Sequence, residues 1–253
     1  MIFRLDSVYF FSIMREDAKH VIVQWLTGEL ERAEARGFVC GLSGGLDSSV
    51  CAALIRQVTD NCLGLILPIE SSVEDCDDAE AFATQLSLKT EYIDLTTLYR
   101  SFTRLLPTGS HVALGNIKAR LRMIVLYYYA NTNNYLVCGT GNKTELALGY
   151  FTKFGDGACD VLPLGDLYKC EVRQLARALS VPEKIIEKVP SAGLWQDQTD
   201  EGEIGFCYDD IDKALKDMSK GIVEGECALT LKKMMDQSEH KRQLPRICRI
   251  GDR

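Results

Sequence analysis

The chain has 253 residues and a formal net charge of −7, with 46% hydrophobic and 26% charged residues, which is typical of a soluble globular protein. The negative charge argues against broad nucleic-acid binding, and the longest apolar stretch, residues 123–130, is too short to span a membrane. No signal-peptide pattern stands near the N-terminus, so we expect a cytoplasmic protein that folds as one domain over residues 1–253. The ten cysteines include no Cys-x-x-Cys pair, which argues against a zinc site and favours reduced, packed thiols.

In chain order, the apolar pattern predicts one helix first and then strands and helices in alternation. The predicted strands are 38–42, 62–67, 90–93 and 135–138, and the predicted helices are 15–35, 48–58, 74–86, 116–130, 168–179, 182–188, 209–218 and 226–239. Because the strands are continuous apolar runs, we expect an α/β fold with a doubly wound parallel sheet, helices on both faces and a helical C-terminal segment. Ligands bind at the carboxyl ends of the strands in such a sheet.

The first predicted strand runs into the sequence Gly-Leu-Ser-Gly-Gly-Leu-Asp-Ser-Ser at 41–49. Glycines let backbone N–H groups approach an anion, and the helix N-terminus that follows adds partial positive charge. A carboxylate beside phosphates needs a cation between them, so Asp47 predicts a bound magnesium ion. The alternative is a glycine turn with an aspartate that caps an ordinary helix. The full string resembles the pyrophosphate-binding loop of the ATP pyrophosphatase superfamily.

A second candidate site follows the fourth predicted strand, where Thr140 offers a hydroxyl, Lys143 a cation and Glu145 a carboxylate. Together with Asp47, Glu145 would give magnesium two oxygen ligands from neighbouring strand ends. The alternative is that Glu145 only matches the dipole of its helix. Residues 149–160 are rich in glycine and aromatic residues and predict a loop that folds over a ligand or, alternatively, over the core.

The sequence from Gly-Thr-Gly-Asn-Lys-Thr-Glu at 139–145 to Leu-Gly-Tyr-Phe-Thr-Lys-Phe-Gly-Asp-Gly at 148–157 resembles ammonia-dependent NAD synthetases. The resemblance continues through Asp-Leu-Tyr-Lys at 166–169, Pro-Ser-Ala-Gly-Leu-Trp at 190–195, Gln-Thr-Asp-Glu at 198–201 and His-Lys-Arg at 240–242, and spans about residues 20–246. It implies an adenine nucleotide alpha hydrolase-like fold. It also implies a C–N ligase that adenylates deamido-NAD with ATP and magnesium, releases pyrophosphate, and lets ammonia displace AMP to give NAD.

The resemblance also implies roles for individual residues. The ATP-binding set is Gly41, Leu42, Ser43, Gly44, Gly45, Leu46, Asp47, Ser48, Thr140, Lys169 and Ser191. The deamido-NAD set is Arg120, Lys153, Asp160, His240 and Lys241. Asp47 and Glu145 would bind magnesium. His240 and Lys241, with the arginine that follows, could alternatively form a favourable charge cluster at a helix end.

The catalytic candidates are Asp47, Lys143, Asp156 and Lys169, and chemistry fits the roles that the resemblance implies. A carboxylate is a poor acyl donor, so the enzyme must stabilise the charge that develops on the α-phosphate and pyrophosphate, the expected task of Lys169. Ammonia must be neutral to attack, and Asp156 is the candidate that accepts a proton from ammonium. A simple turn aspartate is the alternative for Asp156. Residues 71–75 and 191–206 predict loops that close over the nucleotides.

Two further expectations concern alternatives and assembly. A non-catalytic nucleotide sensor or another adenylating enzyme of the superfamily remains possible, whereas a glutaminase domain has no room in 253 residues. The predicted helix at 116–131 is apolar around most of its circumference, with Ile124 and Tyr128 among its apolar residues. A homodimer would bury the extra surface, and Lys118, Arg120 and Arg122 could meet a dinucleotide at the subunit boundary. Burial beneath the C-terminal segment of the same chain is the alternative.

Overall fold

A four-stranded parallel sheet forms the centre of the molecule, in the order β3-β2-β1-β4. We describe a computed structural model for residues 7–195, 198–248 and 250. The strands are β1 (Gly37–Gly41), β2 (Cys62–Ile66), β3 (Lys89–Tyr92) and β4 (Tyr135–Cys138). The helices are α1 (Ser7–Ala33), α2 (Leu46–Val58), α3 (Val73–Gln85), α4 (Thr96–Thr103), α5 (His111–Asn133), α6 (Lys143–Leu148), α7 (Lys169–Ala178), α8 (Glu183–Ile186), α9 (Asp200–Ile204), α10 (Tyr208–Met218) and α11 (Gly225–Ser238), followed by a 3₁₀ turn (Glu239–Lys241).

Strand β1 lies in the middle of the sheet because its side chains are apolar on both faces. Its residue Val39 pairs with Leu63 of β2 and with Val137 of β4, and all three are buried. Phe38 and Cys40 face one layer of helices and Val39 faces the other. The predicted parallel sheet with helices on both faces is therefore confirmed. Strand β3 is more polar and forms an exposed edge.

The helices form two layers and a C-terminal cluster. Helices α1, α2, α3 and α7 cover one face of the sheet, and α4 and α5 cover the other. Beyond the sheet, α6, α10 and α11 share a separate apolar cluster around Ile211 and Leu231. Within the described ranges, no helix is long and apolar enough to cross a membrane.

Several predicted boundaries were wrong. Helix α5 begins at His111, where Ser110 caps it by accepting a hydrogen bond from Ala113 N–H, and it is therefore longer than the apolar pattern indicated. Helices α4 and α9 were not predicted. Because α9 lies inside the predicted loop 191–206, that segment is partly helical, with Thr199 as its N-cap. Residues 196 and 197 of this segment lie outside the described residues.

The apolar residues that surround most of α5 lie in two different environments. Ile117, Leu121 and Val125 contact the core on the sheet side of the helix. Ile124 and Tyr128, apolar residues of the same helix, are 58% and 65% exposed. The C-terminal segment of the described chain therefore leaves these two side chains uncovered, against the alternative of burial within one chain.

Candidate active site

The phosphate loop, which we define as residues 41–48, joins the end of β1 to the first turn of α2. Gly44 has φ +74°, in the left-handed region that favours glycine. Helix α2 has no side-chain cap at its N-terminus, so N–H groups of its first turn stay available to an anion. The Ser43 and Ser48 hydroxyls lie 3.0 Å apart, and Ser48 donates to the Gly45 carbonyl. The loop therefore presents both hydroxyl and backbone donors.

A cation and two carboxylates meet beside this loop, and we call Lys169, Asp47 and Glu145 the lysine cluster. The ammonium of Lys169 lies 2.5 Å from Asp47 Oδ2 and 3.2 Å from Glu145 Oε1. The Lys169 side chain is only 4% exposed. The three residues come from the first turns of α2, α6 and α7, which follow β1, β4 and the loop after α6. The sequence reasoning thus correctly placed Asp47 and Glu145 together.

Two hydrogen-bonded residues that sequence reasoning missed orient this cluster. Asn142 caps α6 through Glu145 N–H and donates its amide to Asp47 Oδ1 at 2.9 Å. Buried Asp212 of α10 accepts from the Thr144 hydroxyl at 2.5 Å and from Cys170 N–H at 2.8 Å. The first turns of α6 and α7 are therefore fixed to each other. Asn142 lies inside the motif quoted above, whereas Asp212 is a polar residue in an amphipathic helix and gave no such signal.

Burial and the neighbouring charges determine the protonation of the cluster. Burial raises the pKa of Glu145 to about 7, although the Lys169 ammonium opposes this shift. Burial alone would lower the pKa of Lys169, but the Asp47 and Glu145 carboxylates outweigh it and raise that pKa above its usual value. Lys169 therefore stays a cation and can stabilise developing negative charge on a substrate.

Asp200 of α9 adds a third acid beside Lys169. Its carboxylate is buried, and Oδ2 accepts a hydrogen bond from the Tyr208 hydroxyl at 3.0 Å. Among the described residues, Oδ1 has no hydrogen-bond partner. Burial raises the pKa of Asp200, and the charge of Lys169 opposes the shift. The centroid of the Tyr208 ring lies 5.0 Å from the Lys169 ammonium, so the aromatic ring also helps to enclose the lysine.

The loop 149–160 folds over the second strand end, as expected. A cavity of about 40 Å³ lies between Thr140, Glu145 and Asp156, large enough for one or two small molecules such as water or ammonia. Asp156 accepts a hydrogen bond from Thr152 N–H, and its surroundings raise its pKa through desolvation. The candidate proton acceptor thus lies at the same small cavity as Glu145.

The residues implied for the dinucleotide lie around the same loop, but they already have protein partners. Lys153 donates to the carbonyls of His240 and Gln243. Lys241 donates to the Gly149 carbonyl at 2.8 Å and the Phe151 carbonyl at 2.9 Å, so the 3₁₀ turn fastens this loop. Both interpretations of the segment, a ligand site and a charge cluster at a helix end, remain compatible with these contacts.

Two other implied dinucleotide residues are both exposed and hold different parts of the loop 149–160. Arg120 is exposed and donates to the Lys153 carbonyl. Asp160 accepts from the Tyr127 hydroxyl and from Val137 N–H, so it also fixes the end of the loop to β4.

Several other predicted site residues do not join the lysine cluster. Lys143 forms an ion pair with Asp166 at 2.7 Å instead. Ser191 is exposed and accepts a hydrogen bond from Gly193 N–H. The expectation that Lys118 and Arg122 meet a dinucleotide was wrong, because these residues hold the loop after β2 in place. Buried Lys118 pairs with Glu70, and Arg122 donates to the Leu67 carbonyl.

Comparison with known proteins identifies the family. A family model described as NAD synthase matches residues 19–245. The chain belongs to the NAD synthase family. A curated NH(3)-dependent NAD(+) synthetase of Carboxydothermus hydrogenoformans is 46% identical over 238 residues, which cover 92% of this chain and 97% of that protein.

Solved structures of NAD synthase relatives share the fold. A structure described as NMN synthetase from Francisella tularensis has a TM-score of 0.87 and 40% identity, and the match covers 92% of this chain and 98% of the other. An NH3-dependent NAD synthetase from Campylobacter jejuni has a TM-score of 0.81 and 30% identity, with 93% and 99% covered.

Two carboxylates of the lysine cluster fit the donor set that a hard cation prefers. Asp47 and Glu145 both reach the same ammonium, so their oxygens converge, and carboxylate oxygens are preferred magnesium ligands. In the described part of the chain, no group of three or more His, Cys, Asp or Glu residues could hold a metal ion. A cation at Asp47 and Glu145 would therefore take its other ligands from phosphate oxygens and water.

Proposed function

We propose that this chain amidates deamido-NAD with ammonia, using ATP, to give NAD, AMP and pyrophosphate. The observation that carries the proposal is the buried lysine cluster directly beside the phosphate loop, in a chain of the NAD synthase family. The Lys169 ammonium lies next to backbone N–H groups that can bind phosphate. This arrangement suits the release of pyrophosphate from ATP when a carboxylate is activated. We also propose that residues 1–253 form one synthetase domain, which the match over residues 19–245 supports.

In the first step the nicotinate carboxylate attacks the α-phosphorus of ATP, an O–P bond forms, and the bond to pyrophosphate breaks. The phosphate loop would bind the phosphates together with the Thr140 and Ser191 hydroxyls. Lys169 would neutralise the charge on the α-phosphate and the leaving pyrophosphate. Magnesium, when bound at Asp47 and Glu145, would supply further charge neutralisation and orient the pyrophosphate.

In the second step ammonia attacks the carbonyl carbon of the acyl-adenylate and the C–O bond to AMP breaks. Ammonium must first lose a proton, and Asp156 at the small cavity would accept it. Desolvation raises the pKa of Asp156, which makes its carboxylate a better proton acceptor than an ordinary aspartate. Lys143 pairs with Asp166, so it would act only indirectly, as substrates approach the site.

The dinucleotide would lie along the loop 149–160, with Arg120, Lys153, Asp160, His240 and Lys241 around it. Lys153 and Lys241 donate to backbone carbonyls here, so they would bind the ligand through donors that remain free. The exposed Ile124 and Tyr128 of α5 support a homodimer, because a second subunit would bury this apolar surface. The ten free cysteine thiols support a reducing, cytoplasmic environment.

A second candidate substrate is the mononucleotide of nicotinate, with the same adenylation and amidation. The relative from Francisella tularensis described as NMN synthetase is 40% identical to this chain and favours it. The curated relative at 46% identity and 97% coverage favours deamido-NAD. The reaction centre described above would serve both substrates, so the choice depends on how the rest of the ligand binds.

The test is a product assay with purified chain, ATP, magnesium and ammonium chloride. Deamido-NAD and nicotinate mononucleotide are supplied in separate reactions, and NAD, NMN, AMP and pyrophosphate are quantified. We expect NAD, AMP and pyrophosphate in equal amounts, with a higher kcat/KM for deamido-NAD. A higher kcat/KM for the mononucleotide would identify it as the preferred substrate. ADP and phosphate as products would refute the mechanism. ATP binding without turnover would support a nucleotide sensor, and turnover with glutamine alone would refute the ammonia source.

A further inference from the structure

Lys188, which lies after α8 and outside every predicted site, joins three parts of the molecule. Its ammonium lies 2.7 Å from Asp75 Oδ1 and 2.6 Å from Asp78 Oδ2, both on α3. It also donates to the Gly44 carbonyl of the phosphate loop at 3.4 Å. The Lys188 side chain is 24% exposed, so these interactions are partly shielded from water.

The phosphate loop and α3 are in close contact at Gly44. A Cβ atom added to Gly44 would lie 2.1 Å from the Asp75 carbonyl oxygen, so the phosphate loop rests directly on the first turn of α3. Ser72 caps that turn by accepting from Asp75 N–H, which fixes the surface on which the loop rests. Lys188 spans the same junction from the side. The loop, α3 and the Lys188 segment therefore form one unit.

The hydrogen bond to the Gly44 carbonyl also determines where Gly45 N–H points, and this N–H can donate to a phosphate oxygen. In a planar trans peptide, the C=O of one residue and the N–H of the next point in opposite directions. A Gly44 carbonyl that faces Lys188 therefore turns Gly45 N–H away from it. This N–H points back into the phosphate loop, where it donates to Ser43 Oγ at 3.3 Å, a long bond that a phosphate oxygen could replace.

Lys188 further links the loop to the segment that follows it. Pro190, two residues on, accepts a hydrogen bond from Asp200 N–H at 3.0 Å. Further along, the Trp195 ring contacts His111 at the start of α5, with ring centroids 4.8 Å apart. The Lys188 ammonium therefore holds the start of this segment against the phosphate loop.

We propose that Lys188 is a positioning residue that holds the Gly44–Gly45 peptide in its phosphate-binding orientation and docks the 189–195 segment beside it. The proposal rests on the proposed function, since it takes ATP phosphates as the ligand of the loop. Loss of Lys188 weakens ATP binding more than it affects deamido-NAD or the later amidation. It acts through the loop backbone, without touching the reacting atoms.

Lys184 of α8 offers a matched control. It pairs with Glu74 at 3.2 Å and with the same Asp78 at 2.9 Å, from a side chain that is 60% exposed. Among the described residues, its ion pairs join α8 to α3 and leave the phosphate loop untouched. The variants Lys184→Met and Lys188→Met each remove one lysine from Asp78, and only the second removes the bond to Gly44.

The experiment measures equilibrium binding of α,β-methylene-ATP, which cannot be cleaved at the α–β bridge, by calorimetry with magnesium present. For Lys188→Met we expect a Kd about tenfold higher than for the unmodified chain, because a charged hydrogen bond is lost, and for Lys184→Met a change below about twofold. In turnover, the KM for ATP is expected to rise while kcat and the KM for deamido-NAD stay within about threefold. Urea unfolding of both variants shows whether a general loss of stability accounts for the result.

Equal Kd values for Lys188→Met and Lys184→Met, or equal rises in both KM values, would overturn the proposal. Lys188→Arg keeps the charge that pairs with α3 and is expected to fold even if Lys188→Met does not. Its broader guanidinium should bind Gly44 less well, with an increase in Kd of about threefold, and an unchanged Kd would again overturn the proposal. Because the binding assay needs no turnover, a failure of the proposed reaction would appear separately, as an unmodified chain that binds the analogue and forms no NAD.

Discussion

Replacement of Lys169 by methionine tests the charge balance of the lysine cluster. The change leaves the Asp47 and Glu145 carboxylates, 16% and 19% exposed, without the ammonium that lies 2.5 and 3.2 Å from them. With an effective dielectric constant of about 20, the two ion pairs have Coulomb energies of about 7 and about 5 kcal/mol before desolvation is subtracted. Removal of one partner from a buried pair typically costs about 3–5 kcal/mol.

We expect about 3 kcal/mol, at the low end, because the carboxylates keep some contact with water and Glu145 can take up a proton. Burial raises the pKa of Glu145 to about 7 even with Lys169 present, and without Lys169 that pKa must rise further. An acid whose pKa is higher in the folded state contributes stability at low pH and loses it as the pH rises through the folded pKa. The stability deficit of Lys169→Met should therefore be larger at pH 8.5 than at pH 6.

The assay is urea unfolding in metal-free buffer at both pH values. Lys143→Met is the control, because its pair with Asp166 is exposed on both sides and should be worth less than about 1 kcal/mol. A deficit for Lys169→Met no larger than that of Lys143→Met would contradict the reasoning, as would a deficit that falls with rising pH.

Three other predictions concern the metal, the loop and the assembly. Asp47→Asn should abolish pyrophosphate release while the protein stays folded, and near-normal release from a folded variant would remove the metal assignment. Gly44→Ala should destabilise the protein by about 2 kcal/mol or more, and raise the Kd for ATP, because φ is +74° and the new Cβ meets the Asp75 carbonyl; unchanged unfolding and binding would refute the close contact. Ile124→Glu or Tyr128→Glu should shift the sedimentation coefficient from dimer to monomer at micromolar concentration, and a monomeric unmodified chain with full activity would refute the dimer.

The central sheet was predictable from the sequence because β1 and β2 are apolar on both faces, a pattern typical of a parallel sheet covered by helices. The proximity of Asp47 and Glu145 followed from the same topology, since both residues lie in the first turns of helices that follow adjacent strands. The orientation of α5 against the sheet could not be predicted. Its apolar residues surround most of the helix, so periodicity alone could not tell that Val125 faces the sheet and Ile124 faces away.

The remaining errors have a common physical cause. Lys118 and Arg122 looked like ligand contacts because they are cations near the start of a helix. Their partners, Glu70 and the Leu67 carbonyl, are distant in sequence, so only tertiary structure could supply them. Lys188 was overlooked for the corresponding reason, since its bond to Gly44 joins residues far apart in the chain.

The hydrogen bonds of Asp212 have a consequence for the order in which the chain acquires its activity. Asp212 fixes the first turns of α6 and α7, where Glu145 and Lys169 lie, yet it is itself in α10, late in the chain. During synthesis the sheet and the phosphate loop emerge from the ribosome well before this aspartate. We therefore expect a nascent chain that ends before α10 to have a loosely arranged lysine cluster, and C-terminal deletions that reach α10 to yield inactive protein even where the sheet still forms.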